Sequence, residues 1–246
     1  MRTMASEAAA HTAGRSRRRA LLARVLAGLT LVGFVIGLVY TFLASSIRPP
    51  GAGDPLGDIG FVLSFAMFPV IGYVLAIRRP ENSIGWLLLG IGTFFGLTAI
   101  LTSLGEYLLY SGGRGQALVL LAFDSPSWVP VVVLPVTFLL LLFPDGHLPS
   151  PRWRWFAWAL GVGLTVVYFA ILLDPGPLEE SPVPEVPNPL GIDALGPFLD
   201  VAQAMILVIP IGVIASLTSL VMRSLSGHPS IVIRTSTRTF PSSWPR

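Results

Sequence analysis

Six long apolar runs, almost free of charge, leave this chain few ways to fold. They cover residues 25–44, 59–77, 84–104, 126–143, 155–173 and 198–222. A helix needs roughly 20 apolar residues to cross about 30 Å of hydrocarbon, and each run approaches that length. The fourth is firm over 126–143, and residues 117–123 extend it. Continuous rather than alternating apolarity favours helices over a membrane-spanning barrel. Composition agrees: 12% of the 246 residues are charged, about half of what a soluble domain carries. The expected fold is therefore an all-α, polytopic membrane bundle of about six transmembrane helices. Pro69, Pro130, Pro135 and Pro210 fall inside the runs, where they kink helices rather than forbid them.

Every basic side chain apart from histidine is Arg, and their placement sets orientation. With the N-terminus inside, the inner segments hold 14 of the 16 arginines. The positive-inside rule then gives an N-in/C-in topology. The sequence pI near 9.8 needs no nucleic acid to explain it; the partner implied is the lipid bilayer. Residues 1–24 read as a basic cytoplasmic tail. Arg17-Arg18-Arg19 ahead of the first run faintly resembles a twin-Arg export signal, but the run is longer than a signal peptide's, so a retained helix is expected.

Two inner turns punctuate the runs. The first is Arg78-Arg79-Pro80-Glu81-Asn82-Ser83. The second is Pro144-Asp145-Gly146-His147-Leu148-Pro149-Ser150-Pro151-Arg152-Trp153-Arg154. Pro-Asp-Gly is a strong turn signal, and Pro149 and Pro151 keep a helix from resuming early. Arg152 and Arg154 hold the turn inside, while Trp153, Trp155 and Trp158 suit the aromatic belt of an interface. The candidate topogenic and interface residues are thus Arg78, Arg79, Pro80, Asn82, Pro144, Asp145, Gly146, Arg152, Trp153 and Arg154. On the other side, residues 174–200 hold seven prolines and six acids without an Arg. They read as an extended loop over the helix ends, with no EF-hand spacing to make it a Ca²⁺ site.

These turns carry a resemblance. Arg78-Arg79-Pro80-Glu81-Asn82-Ser83-Ile84-Gly85-Trp86-Leu87-Leu88 resembles a signature in the membrane modules of actinobacterial sensor histidine kinases. So does Leu142-Phe143-Pro144-Asp145-Gly146-His147-Leu148-Pro149-Ser150-Pro151-Arg152-Trp153-Arg154, and more weakly Asn188-Pro189-Leu190-Gly191-Ile192. It covers roughly residues 19–223. The resemblance implies a six-helix module in a bacterial cell membrane, followed by a phosphoacceptor helix pair and an ATP-binding domain. The family usually has Pro where Ser83 stands and Arg where His147 stands.

The kinase itself has no counterpart among these residues. His11, His147 and His228 lie in a basic tail, a turn and a segment before Pro229, none of them in a phosphoacceptor helix. Gly90, Gly92 and Gly96 fall inside the third run, where no nucleotide loop can sit. Residues 223–246 become Ser/Thr/Pro/Arg-rich and read either as a natural disordered tail or as the product of a shifted frame in a truncated kinase gene.

Other chemistry is equally sparse. With no Cys, thiolate metal sites and Cys nucleophiles are excluded. Asp124 and Asp200 fall at run ends, and mid-membrane positions offer Ser64, Thr93, Thr98, Thr137, Thr165 and Gln203. Such residues are usually helix–helix glue. Intramembrane carboxylates that would mark a transporter are not evident. The chain therefore reads as non-enzymatic, without catalytic, cofactor-binding or metal residues. Gly33/Gly37 and Gly92/Gly96 are spaced for close helix packing, within the monomer or in a homodimer. Three functions are expected, in order: a sensory or anchoring module served by a kinase in trans, a small transporter or permease, and a membrane protein with neither role.

Overall fold

The computed structural model describes residues 2–50, 54–178 and 185–226. No strand occurs among them; one isolated antiparallel bridge joins Pro177 and Pro187. Six helical segments are long and apolar enough to cross a membrane: Ser16–Ser45, Leu56–Arg78, Ser83–Ser111, Arg114–Leu142, Trp153–Leu172 and Met205–Met222. They are the first to sixth spans below. The expected all-α bundle is thus the architecture found. Large apolar side chains cover its outside: Leu31, Phe42 and Val201 are 67%, 69% and 69% exposed. A soluble monomer does not present that much apolar surface.

The third span is the hub. Asn82 caps its start by accepting from the Ile84 N–H at 2.9 Å, and Gly112, at φ +100°, ends it in the left-handed cap that glycine favours. The first, second and fourth spans pack around it. Close approach explains the glycines. A Cβ on Gly33 would lie 2.6 Å from the Gly96 carbonyl oxygen, and one on Gly92 would lie 2.6 Å from Pro69 Cβ. Both glycine pairs singled out in the sequence are therefore spent on packing within the monomer. Thr30 and Thr93 share a 2.9 Å hydroxyl contact beside them, and Phe95 stacks on Phe65 at 4.5 Å.

Prolines shape the remaining spans. Pro69 lacks the N–H that would bond the Phe65 carbonyl, and the second span is interrupted there, between Pro55–Phe65 and Met67–Arg78. The fourth span is longer than the firm sequence run: an α-helix, Arg114–Asp124, precedes it in one uninterrupted helical stretch to Leu142. Beyond Asp124, Pro126, Pro130 and Pro135 turn the ladder into a 3₁₀ turn, Ser125–Ser127, and two π segments, Val129–Val133 and Pro135–Leu139. Val129 and Val133 pack with Leu160, Leu164 and Val167 of the fifth span in the largest apolar cluster.

Two bounds differ from the sequence reading. The first helix runs from Arg2 to Ser45, so it continues back through residues 2–24, the stretch read as a basic tail; Ala-rich, Pro-free sequence accounts for this. Run 198–222 divides into Gly196–Ala204, a 3₁₀ turn at Met205–Leu207, and Val208–Ser226. Residues 227–246, most of the expected disordered tail, lie outside the described residues. Within the sixth span Ser216 and Ser219 are fully buried, and their hydroxyls have no partner among the described residues. An unpaired buried hydroxyl costs about 1–3 kcal/mol. Ser216→Ala and Ser219→Ala are expected to leave the melting temperature unchanged or raise it; a clear drop in nanodisc melts would reveal a bond that opposes this.

Candidate functional site

The two signature turns, some 60 residues apart in sequence, meet. Pro80 and Asn82 organise the first. The Pro80 carbonyl accepts from Trp86 Nε1 at 3.0 Å and from an Arg19 guanidinium nitrogen at 3.4 Å. In the second turn Gly146 is buried and stands at φ +76°, with its N–H donating to the Leu142 carbonyl at 2.8 Å. A Cβ there would fall on Asn82 Oδ1 and lie 3.0 Å from Ser83 N. Only glycine fits both the left-handed backbone and the contact. Gly146→Ala is therefore expected to destabilise the chain by about 1–3 kcal/mol, read as a lower nanodisc melting temperature; a wild-type melt would show that the turns separate freely.

The other predicted turn residues stay outside this docked contact. Arg78, Arg79, Pro144, Asp145, Arg152 and Arg154 are exposed. The peptide bond between Phe143 and Pro144 is cis. Trp153 is half-buried, edge-on to Phe156 at 5.4 Å. The weaker third motif clips the opposite end of the bundle. Buried Asn188 donates from Nδ2 to the Leu172 and Asp174 carbonyls, both at 2.9 Å, the first of them left open by the end of the fifth span. Leu178 is buried beneath it. The acidic loop, as far as it is described, is thus folded onto the helix end rather than simply extended.

That end also holds a charged centre which sequence reading missed. Arg48, just past the first span, bridges Asp58 of the second at 2.8 Å and Glu106 of the third. Its side chain is 6% exposed. Burial alone would lower the guanidinium pKa, but hydrogen bonds from Arg48 to Asp58 and Glu106, with their charges, outweigh it and the value is raised. Arg48 Nε is buried without a hydrogen-bond partner among the described residues. Close by, Thr102 Oγ1 donates to Asp124 Oδ2 at 2.6 Å. A cavity of about 240 Å³ is lined by Asp58, Glu106 and Asp124 together with Thr41, Thr98 and Ser127.

Two expectations are corrected here. Asp124 is not at a span end; it lies ten residues inside the fourth span, which begins at Arg114. Carboxylates do occur within the spans, since Asp58, Glu106 and Asp124 all fall inside helices long enough to cross. Sequence shows only that three acids flank apolar runs on one side; which arginine they meet is set by how the helices pack. Among the described residues no group of three or more His, Cys, Asp or Glu is placed to hold a metal ion. No family model matches the chain, and no curated protein or solved structure matches it either.

Proposed function

We propose that the chain is the membrane-embedded sensory or anchoring module of a two-component-type sensor in a bacterial cell membrane, with both ends inside and no catalytic activity of its own. The observation that supports this reading is the docking of its two signature turns. Residues that resemble one family's motifs form one unit, Pro80 and Asn82 against Gly146, at the end where an output domain would attach. Through Arg19 the first helix joins the same unit. The sixth span packs along the inner end of the fourth, at Leu140–Leu142, which puts the chain's exit beside these turns.

The test has two parts. DNA beyond codon 223 is read in all three frames, and the full chain is purified from its own cells with associated proteins identified by mass spectrometry. A phosphoacceptor helix with an ATP-binding domain is expected in another frame or on a copurifying chain. Finding it in neither place rejects the reading.

One observation favours a second reading, a small cation-coupled transporter: three carboxylates and several hydroxyls line one cavity within the spans. Ionisable groups inside membrane spans commonly mark ion pathways. Substrate accumulation in proteoliposomes, abolished by Glu106→Gln, would establish it over the first; its absence across cation gradients would dismiss it.

A further inference from the structure

The end of the bundle that carries the signature turns is strongly basic. Arg17, Arg18, Arg19, Arg24, Arg78, Arg79, Arg152 and Arg154 are all exposed there, against the exposed acids Glu81 and Asp145. Contacts from Arg19 to Pro80 and from Gly146 to Asn82 bring these segments to one end. None of these arginines forms a salt bridge among the described residues. Topology needs only that the arginines stay on one side; it does not ask for what stands beside two of them.

At the start of the fifth span Trp155 is 81% exposed and Trp158 69% exposed. Arg154 and Trp158 are four residues apart on this helix, and Trp155 and Trp158 three, so all three side chains share a face. Arg152 lies directly before the helix and is exposed as well. Two indoles facing outward from the first turns of a membrane span lie at headgroup depth, where an amphipathic ring is favoured. A guanidinium beside them is a planar fork matched to phosphate oxygens.

We propose that Arg152, Arg154, Trp155 and Trp158 form a seat for the headgroup of an anionic phospholipid. The arginines bind the phosphate and the indoles cover the glycerol and upper acyl carbons. The surrounding arginines select a net-negative headgroup, because a zwitterionic one brings its own cation into an already positive field. This seat does not depend on the sensory reading; it needs only that the fifth span sits in a bilayer.

The test titrates short-chain phosphatidylglycerol, short-chain phosphatidylcholine and inorganic phosphate into the purified full chain in neutral detergent, with binding read by thermophoresis. Phosphatidylglycerol is expected to bind well above phosphatidylcholine, and phosphate not to compete. Each arginine near an anionic surface is worth about fivefold. Arg152→Gln/Arg154→Gln should therefore weaken phosphatidylglycerol binding on the order of 25-fold while leaving the melting curve in phosphatidylcholine nanodiscs unchanged. Arg17→Gln/Arg18→Gln should weaken it far less. Trp158→Ala should weaken it with all charges intact. Equal losses from the two arginine pairs would mean diffuse surface charge and overturn the seat. Equal binding of both lipids, or competition by free phosphate, would overturn the headgroup assignment.

Discussion

Arg48→Met is expected to destabilise the chain by about 1–3 kcal/mol, mainly the cost of leaving the largely covered Glu106 without its counter-charge, since Asp58, 43% exposed, keeps water. Asp58 and Glu106 would then face each other across the first loop with no cation between them, and Asp124 lines the same cavity. Arg48 itself is almost wholly covered, whereas Asp58 is 43% exposed, so water can compensate Asp58 better than Glu106. The measurement is thermal unfolding in nanodiscs. The informative control neutralises the whole centre: Arg48→Met/Asp58→Asn/Glu106→Gln should regain most of the loss, since exchanging a complete buried ionic group for neutral residues is often nearly free. If the triple variant melts as low as the single one, the arginine acts through packing and the electrostatic account fails.

Gly33→Leu is expected to force the first and third spans apart. Its first added atom would lie 2.6 Å from the Gly96 carbonyl oxygen and 2.7 Å from the carbonyl carbon. The neighbour is backbone of a helix, so no side-chain rotation relieves the clash. Overpacking of this kind costs about 1–3 kcal/mol or more. Gly28 lies on the same helix and has nothing within 4 Å of an added Cβ; Gly90 on the third span is equally open. Gly28→Leu and Gly90→Leu should melt like the wild type in the same nanodiscs. Should either prove as damaging as Gly33→Leu, those faces pack against a second copy, and the monomer is not the whole assembly.

The sequence was most legible where the physics is one-dimensional. Length and apolarity suffice for a spanning helix, so all six spans overlap the runs read from the residues alone. The pairing of Gly33 with Gly96 was legible only as a tendency to pack closely; choosing between monomer and dimer needs the partner backbone. Bounds slipped where composition misleads. Residues 114–125 carry Arg114 and Asp124 and look like the edge of a span, yet helix continues through them because Gly115 to Phe123 are otherwise apolar or tolerant of it. The Arg48 centre was hidden for a related reason. Asp58 and Glu106 are 48 positions apart, each beside an apolar run, and nothing local says that their helices lean together over one arginine. Gly146 shows the opposite case: a turn glycine was expected, and its contact with Asn82 adds a reason for it that only the fold supplies.

The interrupted ladder of the fourth span has a mechanical meaning for the whole bundle. A continuous α-helix is a stiff strut, because every backbone bond resists bending. Between Ser125 and Leu139 that bonding gives way to 3₁₀ and π turns around Pro126, Pro130 and Pro135, so bending stiffness is lowest there. The third span beside it keeps a regular helix along its full length. A load applied where Asp124 meets Thr102 would bend the soft member before the rigid one.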